Sequence, residues 1–361
     1  MKIAITGLGN SGKTTIFNAL TGLNLETTVY ATVSAEPHTG VVKVPDKRID
    51  RLAEIYTPKK ITFATVEYVD YIGLTKGDIA QNRKVFDLVK DAEAVVHVVR
   101  GFHDESIVHP LGDVDPLRDA ETVELEMIFG DLELVDKRLE RMEQDIRRGK
   151  KPDEAEKKLL VRCKEALEAE TPLRDLEFTD EEQKAMSHLQ FMSIKPEVVL
   201  LNVGESDLHA EKTTAQIAAL KELFRGRQVS VQGLCGKIEM EIAQLPADEA
   251  SAFLEDLGIE EPALNKLISV SYSLLGLISF LTSGEDEVRA WTIKKGMSAQ
   301  KAAGRIHSDI ERGFIRAEVI SYDDFMAQGS MSAARDKGLL RLEGKTYEVK
   351  DGDIINFRFN V

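Results

Sequence analysis

Cysteine and long apolar runs are scarce in this sequence of 361 residues, and each scarcity excludes a class of protein. The two cysteines, Cys163 and Cys235, lie far apart, which excludes a disulfide framework and favours a reducing compartment. The longest apolar stretch, residues 268–281, is too short to span a bilayer and is interrupted by serines. The sequence therefore predicts a cytoplasmic protein with no membrane partner.

Positive charge is also in deficit, because 47 basic residues face 62 acidic ones for a net charge of −15. An acidic protein gains no general attraction to polyanions, so sequence-specific DNA binding is not expected and any RNA contact needs a local basic face. Nearly all of the deficit lies before residue 281, since the last 81 residues hold 13 basic and 13 acidic side chains.

Short apolar runs alternate with helix-length segments over most of the chain, which predicts an α/β fold with a mostly parallel sheet. Strands are expected at 1–6, 65–69, 94–99, 198–202 and 228–231, and helices at 14–21 and 212–224.

A long insertion interrupts this alternation. From Leu125 to Ile146, apolar residues recur at alternating steps of three and four, which predicts a coiled-coil helix, and a second helix is expected over 153–170. We expect a helical hairpin, for which burial of two apolar stripes is a sufficient reason and a docking role is the alternative. The C-terminal residues predict a small mixed sheet that clasps one helix, with strands at 287–293, 314–320, 340–342, 347–349 and 354–359 and a helix at 298–307.

The segment from Gly7 to Thr14 matches the phosphate-loop motif G-x-x-x-x-G-K-[ST], between a predicted strand and a predicted helix. Its glycines let backbone amides close around a β-phosphate. Lys13 would bridge the β- and γ-phosphates, and the Thr14 hydroxyl would be a ligand of Mg²⁺. A glycine-rich turn with a chance lysine is the alternative.

Two further motifs follow in the order typical of P-loop NTPases. Asp70-Tyr-Ile-Gly73 follows the strand at 65–69. Asp70 can therefore hold the Mg²⁺ shell through a water, and the Gly73 N–H can contact the γ-phosphate. Asn202-Val-Gly-Glu205 stands where GTP-binding proteins have N-K-x-D. Here Val203 replaces the Lys and Glu205 replaces the Asp, whose carboxylate accepts two donors from guanine. Adenine offers one amino donor beside an acceptor, so such a carboxylate has no specific target on it, and guanine selectivity is doubtful.

These motifs, the insertion and above all the tail resemble the YchF/Obg-like ATPase family. The tail segments 287–296, 313–325 and 351–361 are similar to that family's TGS domain. The resemblance implies a P-loop G domain at 1–118 and 196–280, an inserted hairpin at 119–195 and a ubiquitin-like, β-grasp TGS domain at 281–361. The segment 74–83 departs from the family, which has a glycine-rich stretch there.

The resemblance also implies a set of site residues, Mg²⁺ as cofactor and K⁺ as a second candidate ion. The nucleotide-binding residues it implies are Gly9, Asn10, Ser11, Gly12, Lys13, Thr14, Thr15, Asn202, Val203, Glu205, Cys235, Gly236 and Lys237. Asn10 stands where relatives bind K⁺. Mg²⁺ would be held by Thr14, Asp70 and Ser34, with Thr32 as the rival of Ser34. Catalysis is assigned to Lys13, Asp70, Gly73 and His109. His109 would orient the water, since Leu74 cannot. A merely exposed histidine in a turn is the alternative for His109.

Three functions fit this sequence. The first is an ATPase whose nucleotide state changes its docking on the ribosome, the second a GTPase of the same fold, and the third a nucleotide-gated adaptor that scarcely hydrolyses. Six basic residues could face RNA, although scattered surface charges would explain them as well: Lys294, Lys295, Lys301, Arg305, Arg312 and Arg316.

Overall fold

The strands and helices are taken from a computed structural model that describes residues 1–25, 37–71, 73–151, 153–225 and 228–360. Ile72 and Val361 lie outside these ranges, as do Ser34 and Thr32. The strands are β1 Lys2–Thr6, β2 His38–Lys43, β3 Lys60–Thr62, β4 Thr65–Asp70, β5 Ala94–Arg100, β6 Glu197–Asn202, β7 Val229–Leu234, β8 Leu277–Thr282, β9 Glu287–Lys294, β10 Phe314–Ser321, β11 Arg341–Glu343 and β12 Asp353–Phe359.

Helices follow most of the strands. They are α1 Lys13–Thr21, α2 Lys47–Tyr56, α3 Ile79–Val89, α4 Pro116–Arg147, α5 Glu154–Glu168, α6 Asp180–Met186, α7 Glu211–Leu223, α8 Gly236–Gln244, α9 Ala247–Asp256, α10 Ala263–Leu274, α11 Ala299–Ile306, α12 Ser308–Arg312, α13 Tyr322–Gln328 and α14 Met331–Asp336. No described helix combines the length and the apolar character that crossing a membrane requires.

The chain divides into two compact units. The first unit holds residues 1–41 and 67–267, and the second holds residues 42–66 and 268–361. This division follows packing and does not test the three domain limits predicted above, which stay a prediction.

In the first unit, strands lie in the order β4-β1-β5-β6-β7, and each of these neighbours pairs in parallel. β5 and β6 are buried along their whole length, which explains their unbroken runs of valine and leucine. Because the strands are parallel, the residues that follow β1, β4, β5 and β6 meet at one edge of the sheet. The predicted parallel α/β fold is confirmed.

The inserted helices α4 and α5 pack against each other, as the heptad pattern predicted. Their shared apolar cluster includes Ile128, Val135, Leu160 and Cys163, and the burial of the Cys163 thiol raises its pKa to about 11. The carboxylate of Asp115 caps α4 by accepting a hydrogen bond from the Arg118 amide.

The second unit is a mixed sheet in the order β11-β10-β12-β8-β9-β3 with α11 against its apolar cluster. β10 pairs antiparallel with β12, and β12 pairs parallel with β8. The strand predicted at 347–349 is wrong: Glu348 makes only an isolated bridge with Ser298. β3 comes from residues far upstream and pairs in parallel with β9, which the sequence analysis did not foresee.

Candidate nucleotide site

The phosphate loop joins β1 to α1, which begins at Lys13 directly after Gly12. Gly12 has a φ of 92°, and a Cβ there would lie 2.2 Å from Asn202 Nδ2. Both the backbone conformation and the available space therefore require glycine. The first amides of α1 have no partner within the helix, so the loop presents N–H groups and a positive dipole end to an anion.

Lys13 is buried at the start of this helix, and its Nζ donates a hydrogen bond of 2.7 Å to the Leu8 carbonyl. Burial lowers the pKa of Lys13 to about 8, and the attraction of Asp70 opposes this shift only in part. A phosphate beside Nζ would favour the protonated form again. The side chain is thus suited to bind a polyanion.

Thr14 and Asp70 come together as the motif order predicts. Thr14 Oγ1 donates a hydrogen bond of 2.8 Å to Asp70 Oδ2, while Asp70 Oδ1 is buried and has no hydrogen-bond partner among the described residues. Burial raises the pKa of the Asp70 carboxyl, against the effect of the Thr14 hydrogen bond. A hydroxyl beside a carboxylate with an unused oxygen fits Mg²⁺, which prefers hard oxygen ligands.

Gly73 lies directly against the phosphate loop. A Cβ on Gly73 would lie 2.8 Å from the Gly9 amide nitrogen and 2.9 Å from Lys13 Nζ. The next residue is tied to the same loop, because the Leu74 amide donates a hydrogen bond of 2.9 Å to the Gly7 carbonyl. The Leu74 side chain is buried in the apolar core, where a water-orienting role is excluded for it.

Asn202 connects the phosphate loop to the loop that follows β7. Its Nδ2 donates a hydrogen bond of 3.0 Å to the Ser11 carbonyl, and its Oδ1 accepts one of 2.9 Å from the Gly236 amide. Ser11 is buried at this contact, and Thr15 is the third residue of α1. One asparagine thus fixes two predicted binding segments to each other.

The remaining residues predicted to contact the base lie around the ends of β6 and β7. The Val203 amide donates a hydrogen bond of 2.9 Å to the Leu234 carbonyl, and Cys235, whose thiol pKa is raised by burial, precedes α8. Glu205 and Lys237 are both exposed, with Glu205 Oε2 3.7 Å from Lys237 Nζ. Their charges offset each other beside the predicted base position.

His109 is buried, and its two ring nitrogens lie close to different partners. Its Nδ1 accepts a hydrogen bond of 3.1 Å from the Leu111 amide, and its Nε2 lies 2.8 Å from Asp119 Oδ2. The adjacent residue is tied to the phosphate loop, because Asn10 Nδ2 donates a hydrogen bond of 3.0 Å to the Val108 carbonyl. That bond uses the amide nitrogen of Asn10 and leaves its oxygen, the atom that a K⁺ would need.

The motif analysis missed Phe102, which lies between the phosphate loop and the segment after β6. A Cβ on Gly12 or on Gly204 would be 3.8 Å from this side chain. The Arg100 guanidinium lies 4.4 Å from the centre of the Phe102 ring. The position of Phe102, just beyond the carboxyl end of a central parallel strand, was the signal that could have found it.

Known proteins are similar to this chain in sequence over its full length. "Ribosome-binding ATPase YchF" of Bacillus subtilis (strain 168) is 44% identical over 360 residues, which cover 99% of this chain and 98% of that protein. The protein of the same name from Escherichia coli O157:H7 is 39% identical over 363 residues, which cover 100% and 99%. The chain belongs to the YchF family.

Two family models and a solved structure agree with this membership. A model for the C-terminal domain of YchF GTPases, described as a protein of unknown function, matches residues 277–360. A second model, described as a 50S ribosome-binding GTPase, matches residues 2–129. The structure of the Schizosaccharomyces pombe YchF GTPase has a TM-score of 0.81 at 29% identity and covers 99% of this chain and 97% of that one. This YchF chain therefore has the P-loop fold of a nucleotide-hydrolysing family.

Proposed function

We propose that this YchF chain is an Mg²⁺-dependent nucleoside triphosphatase that prefers ATP to GTP and changes its docking on the ribosome with its nucleotide state. The observation that carries the proposal is the contact between Thr14 and Asp70, which leaves Asp70 Oδ1 without a partner among the described residues, next to Lys13 at the start of α1.

The proposal assigns a part in binding to the loop amides and to four side chains or amides near them. The amides before α1 and the Lys13 ammonium would hold the β- and γ-phosphates, and Thr14 and Asp70 would hold the Mg²⁺. When bound, Mg²⁺ supplies positive charge where phosphoryl transfer develops negative charge. Gly73, which lies against Gly9 and Lys13, would present its N–H to the γ-phosphate. This contact would distinguish a nucleoside triphosphate from a diphosphate, because only the triphosphate has a γ-phosphate.

The attacking water needs another residue, because Leu74 is buried in the core. His109 is our candidate, since its loop is tied to Asn10 of the phosphate loop. Its Nε2 would have to leave Asp119 to reach a water, so the role requires a movement of this loop. Substitution His109→Ala should then lower single-turnover hydrolysis at unchanged nucleotide affinity. An unchanged rate would remove His109 from the mechanism.

Preference for ATP is supported by Glu205 and by the names of the relatives. Glu205 stands where guanine-specific proteins have aspartate, and its carboxylate lies 3.7 Å from the Lys237 ammonium, which weakens it as an acceptor for guanine. The bacterial relatives are named ATPases, while the Schizosaccharomyces pombe structure and both family models are named for GTPases.

Docking on the ribosome is supported by the relatives' names and by exposed positive charge. All six basic residues named above are exposed. Lys301 and Arg312 have acidic partners on Glu311 and Asp309. The other four have no acidic partner within 4 Å in the part of the chain that the structure describes, so they are available to RNA phosphates: Lys294, Lys295, Arg305 and Arg316.

Calorimetric titration with ATP and with GTP, each with Mg²⁺, tests the proposal. We expect tighter binding of ATP, and a loss of at least about tenfold in affinity for Lys13→Ala because a charge-assisted contact is removed. Lys84→Ala, which changes an exposed lysine of α3, is the control and should bind as the parent does. Stronger binding of GTP would favour the GTPase, and equal binding by Lys13→Ala would refute the site.

The adaptor function is the second candidate, and the departure of residues 74–83 from the family pattern favours it. Single-turnover assays in K⁺ and in Na⁺ distinguish it from an ATPase. Hydrolysis that is faster in K⁺ supports the ATPase and a K⁺ role for Asn10. Binding without turnover in either salt would establish the adaptor.

A further inference from the structure

Glu126 is a buried carboxylate of α4 that holds the segment following Gly73. Its side chain is part of a residue only 8% exposed. Its Oε1 accepts a hydrogen bond of 2.7 Å from the Gly77 amide, and its Oε2 accepts one of 2.7 Å from Asn82 Nδ2. A residue of the inserted helix therefore contacts the backbone just downstream of the D-x-x-G motif.

Asn82 of α3 completes the same network from the other side. Its Oδ1 accepts a hydrogen bond of 2.9 Å from the Thr75 amide, and its Nδ2 donates one of 2.8 Å to the Thr75 carbonyl. Glu126 and Asn82 together thus fix the backbone at two positions, Thr75 and Gly77. This is the segment that departs from the glycine-rich pattern of the family.

The cost of burying Glu126 makes these contacts important. Among the residues that the structure describes, the Glu126 carboxylate is bound by the Gly77 amide and by Asn82 Nδ2, and it forms no ion pair with a lysine or an arginine. A buried carboxylate without a cation is tolerated only when its oxygens accept hydrogen bonds, and here the donors come from the segment and from Asn82. Movement of the segment would leave the charge unsatisfied, so the carboxylate opposes that movement.

The segment is also held at its upstream end, where the nucleotide would bind. The Leu74 amide donates to the Gly7 carbonyl, and Gly73 lies against Gly9 and Lys13. Residues 73–77 therefore run between the phosphate loop and Glu126 with a hydrogen bond at each end. A change in position at one end has to be accommodated at the other, because few residues separate them.

Space next to the network permits such a change. Asn82 and Glu126 line a cavity of about 340 Å³ between α3 and α4, together with Phe86, Phe129 and Met192. This pocket is open to solvent, since the exposed side chains of Ile79 and Phe129 also line it. The two side chains thus have room on one side, although the apolar core holds Leu74 on the other.

We propose that Glu126 and Asn82 are positioning residues that hold residues 74–77 so that the Gly73 N–H reaches the γ-phosphate, and that they thereby couple triphosphate binding to the inserted helix α4. The inference rests on the proposed nucleotide site. It adds two residues that lie outside the motifs of that site. It also proposes that the start of segment 74–83, which departs from the family pattern, is held in a fixed position.

The substitution Glu126→Gln tests the proposal because it keeps the shape but has only one acceptor oxygen, so either the Gly77 N–H or the Asn82 NH₂ group faces another NH₂ group. We expect the affinity for a non-hydrolysable ATP analogue to fall about tenfold, while that for ADP, which has no γ-phosphate, changes by less than about twofold. The Thr75 and Gly77 amides should also exchange with deuterium faster than in the parent. Asn82→Ala should give the same pattern if Glu126→Gln does not fold.

Glu121→Gln is the matched control, since Glu121 is an exposed carboxylate of the same helix. It should leave both affinities and the exchange of both amides unchanged. The positioning role would be overturned if Glu126→Gln lowered the affinities for the analogue and for ADP equally. It would also be overturned if the ratio of these two affinities were the same as in the Glu121→Gln control. Failure of the parent chain to bind either nucleotide would instead refute the proposed function.

Discussion

Asn202 shows how a single side chain can determine the geometry of a whole site. Its amide donates to the Ser11 carbonyl in the phosphate loop, and its oxygen accepts from the Gly236 amide at the start of α8. It also fills the space that a Cβ on Gly12 would need. An amide side chain is required because the two backbone groups that it joins are of opposite hydrogen-bonding type.

The substitution Asn202→Ala should weaken ATP binding and destabilise the fold. We expect a loss of about 2–4 kcal/mol in the free energy of unfolding, because two buried backbone groups lose their partners. Urea unfolding measures this loss, and titration with ATP measures the affinity. Asn24→Ala changes an exposed asparagine and should alter neither quantity. A stability loss below about 0.5 kcal/mol would contradict the bridging role.

At the scale of elements, α4 is fixed at its base by buried carboxylates. Glu124 pairs with Arg174, and Asp131 accepts hydrogen bonds of 2.8 Å and 2.7 Å from the Met192 and Ser193 amides. Burial raises the pKa of the Asp131 carboxyl to about 6 against these hydrogen bonds. Further along, α4 packs on α5 through apolar side chains. Polar contacts thus define where the helix is attached.

Arg174 is the centre of the largest of these attachments. It lies within 2.6 Å of Glu197 Oε2 on β6 and also contacts Glu124. Glu197 Oε1 lies 3.0 Å from His97 Nδ1 on β5. Burial disfavours the charged guanidinium, but Glu197 and Glu124 raise the pKa of Arg174 overall. The insertion is therefore joined to the central strands by a buried ion-pair network.

Replacement Arg174→Met should cost about 3–5 kcal/mol of folding stability, because it leaves two buried carboxylates without their cation. The measurement is chemical unfolding followed by circular dichroism. Arg141→Met removes an exposed arginine of α4 and should cost less than about 0.5 kcal/mol. Similar losses for both variants would show that the network contributes no more than surface charge.

At the scale of the whole molecule, one segment belongs to a different compact unit from the residues on either side of it in sequence. Residues 42–66 lie in sequence between the phosphate loop and Asp70, yet they belong to the unit of residues 268–361. β3 pairs with β9 in that unit, and Arg48 Nη1 lies 2.8 Å from Asp351 Oδ2. The ring of Tyr56 stacks on that of Phe325 with centroids 6.0 Å apart. The second unit is thus assembled from both sides of Asp70.

The proposed docking on the ribosome should depend on positive charge in this second unit. The double substitution Lys294→Glu and Lys295→Glu reverses two exposed charges at the end of β9, so co-sedimentation with ribosomes should fall and become less salt-dependent. Lys212→Glu with Lys221→Glu makes the same charge change on α7 and is the control. Equal losses for the two pairs would indicate a general charge effect and not a docking surface.

Elements with a strong local pattern could be predicted from the sequence. β5 and β6 are runs of apolar residues bounded by polar ones, and α4 has a heptad repeat, so burial and periodicity were sufficient. The strand predicted at 347–349 is wrong because three residues carry too little pattern to distinguish a strand from a bridge. β3 could not be predicted either, since its pairing with β9 joins residues more than two hundred positions apart.

The sequence by itself determined the phosphate loop and the order of the motifs, because glycines, a lysine and a threonine at fixed spacing are what phosphate binding by backbone amides demands. It also indicated the family, chiefly through the tail segments 287–296, 313–325 and 351–361. Only the tertiary structure decided that Asn202 joins two loops, that His109 is engaged by Asp119, and that Glu126 and Asn82 hold the segment after Gly73. These contacts depend on how the strand ends and α4 converge in space. The local sequence could not predict these contacts, because the partners lie far apart along the chain and each is a polar residue of a common type.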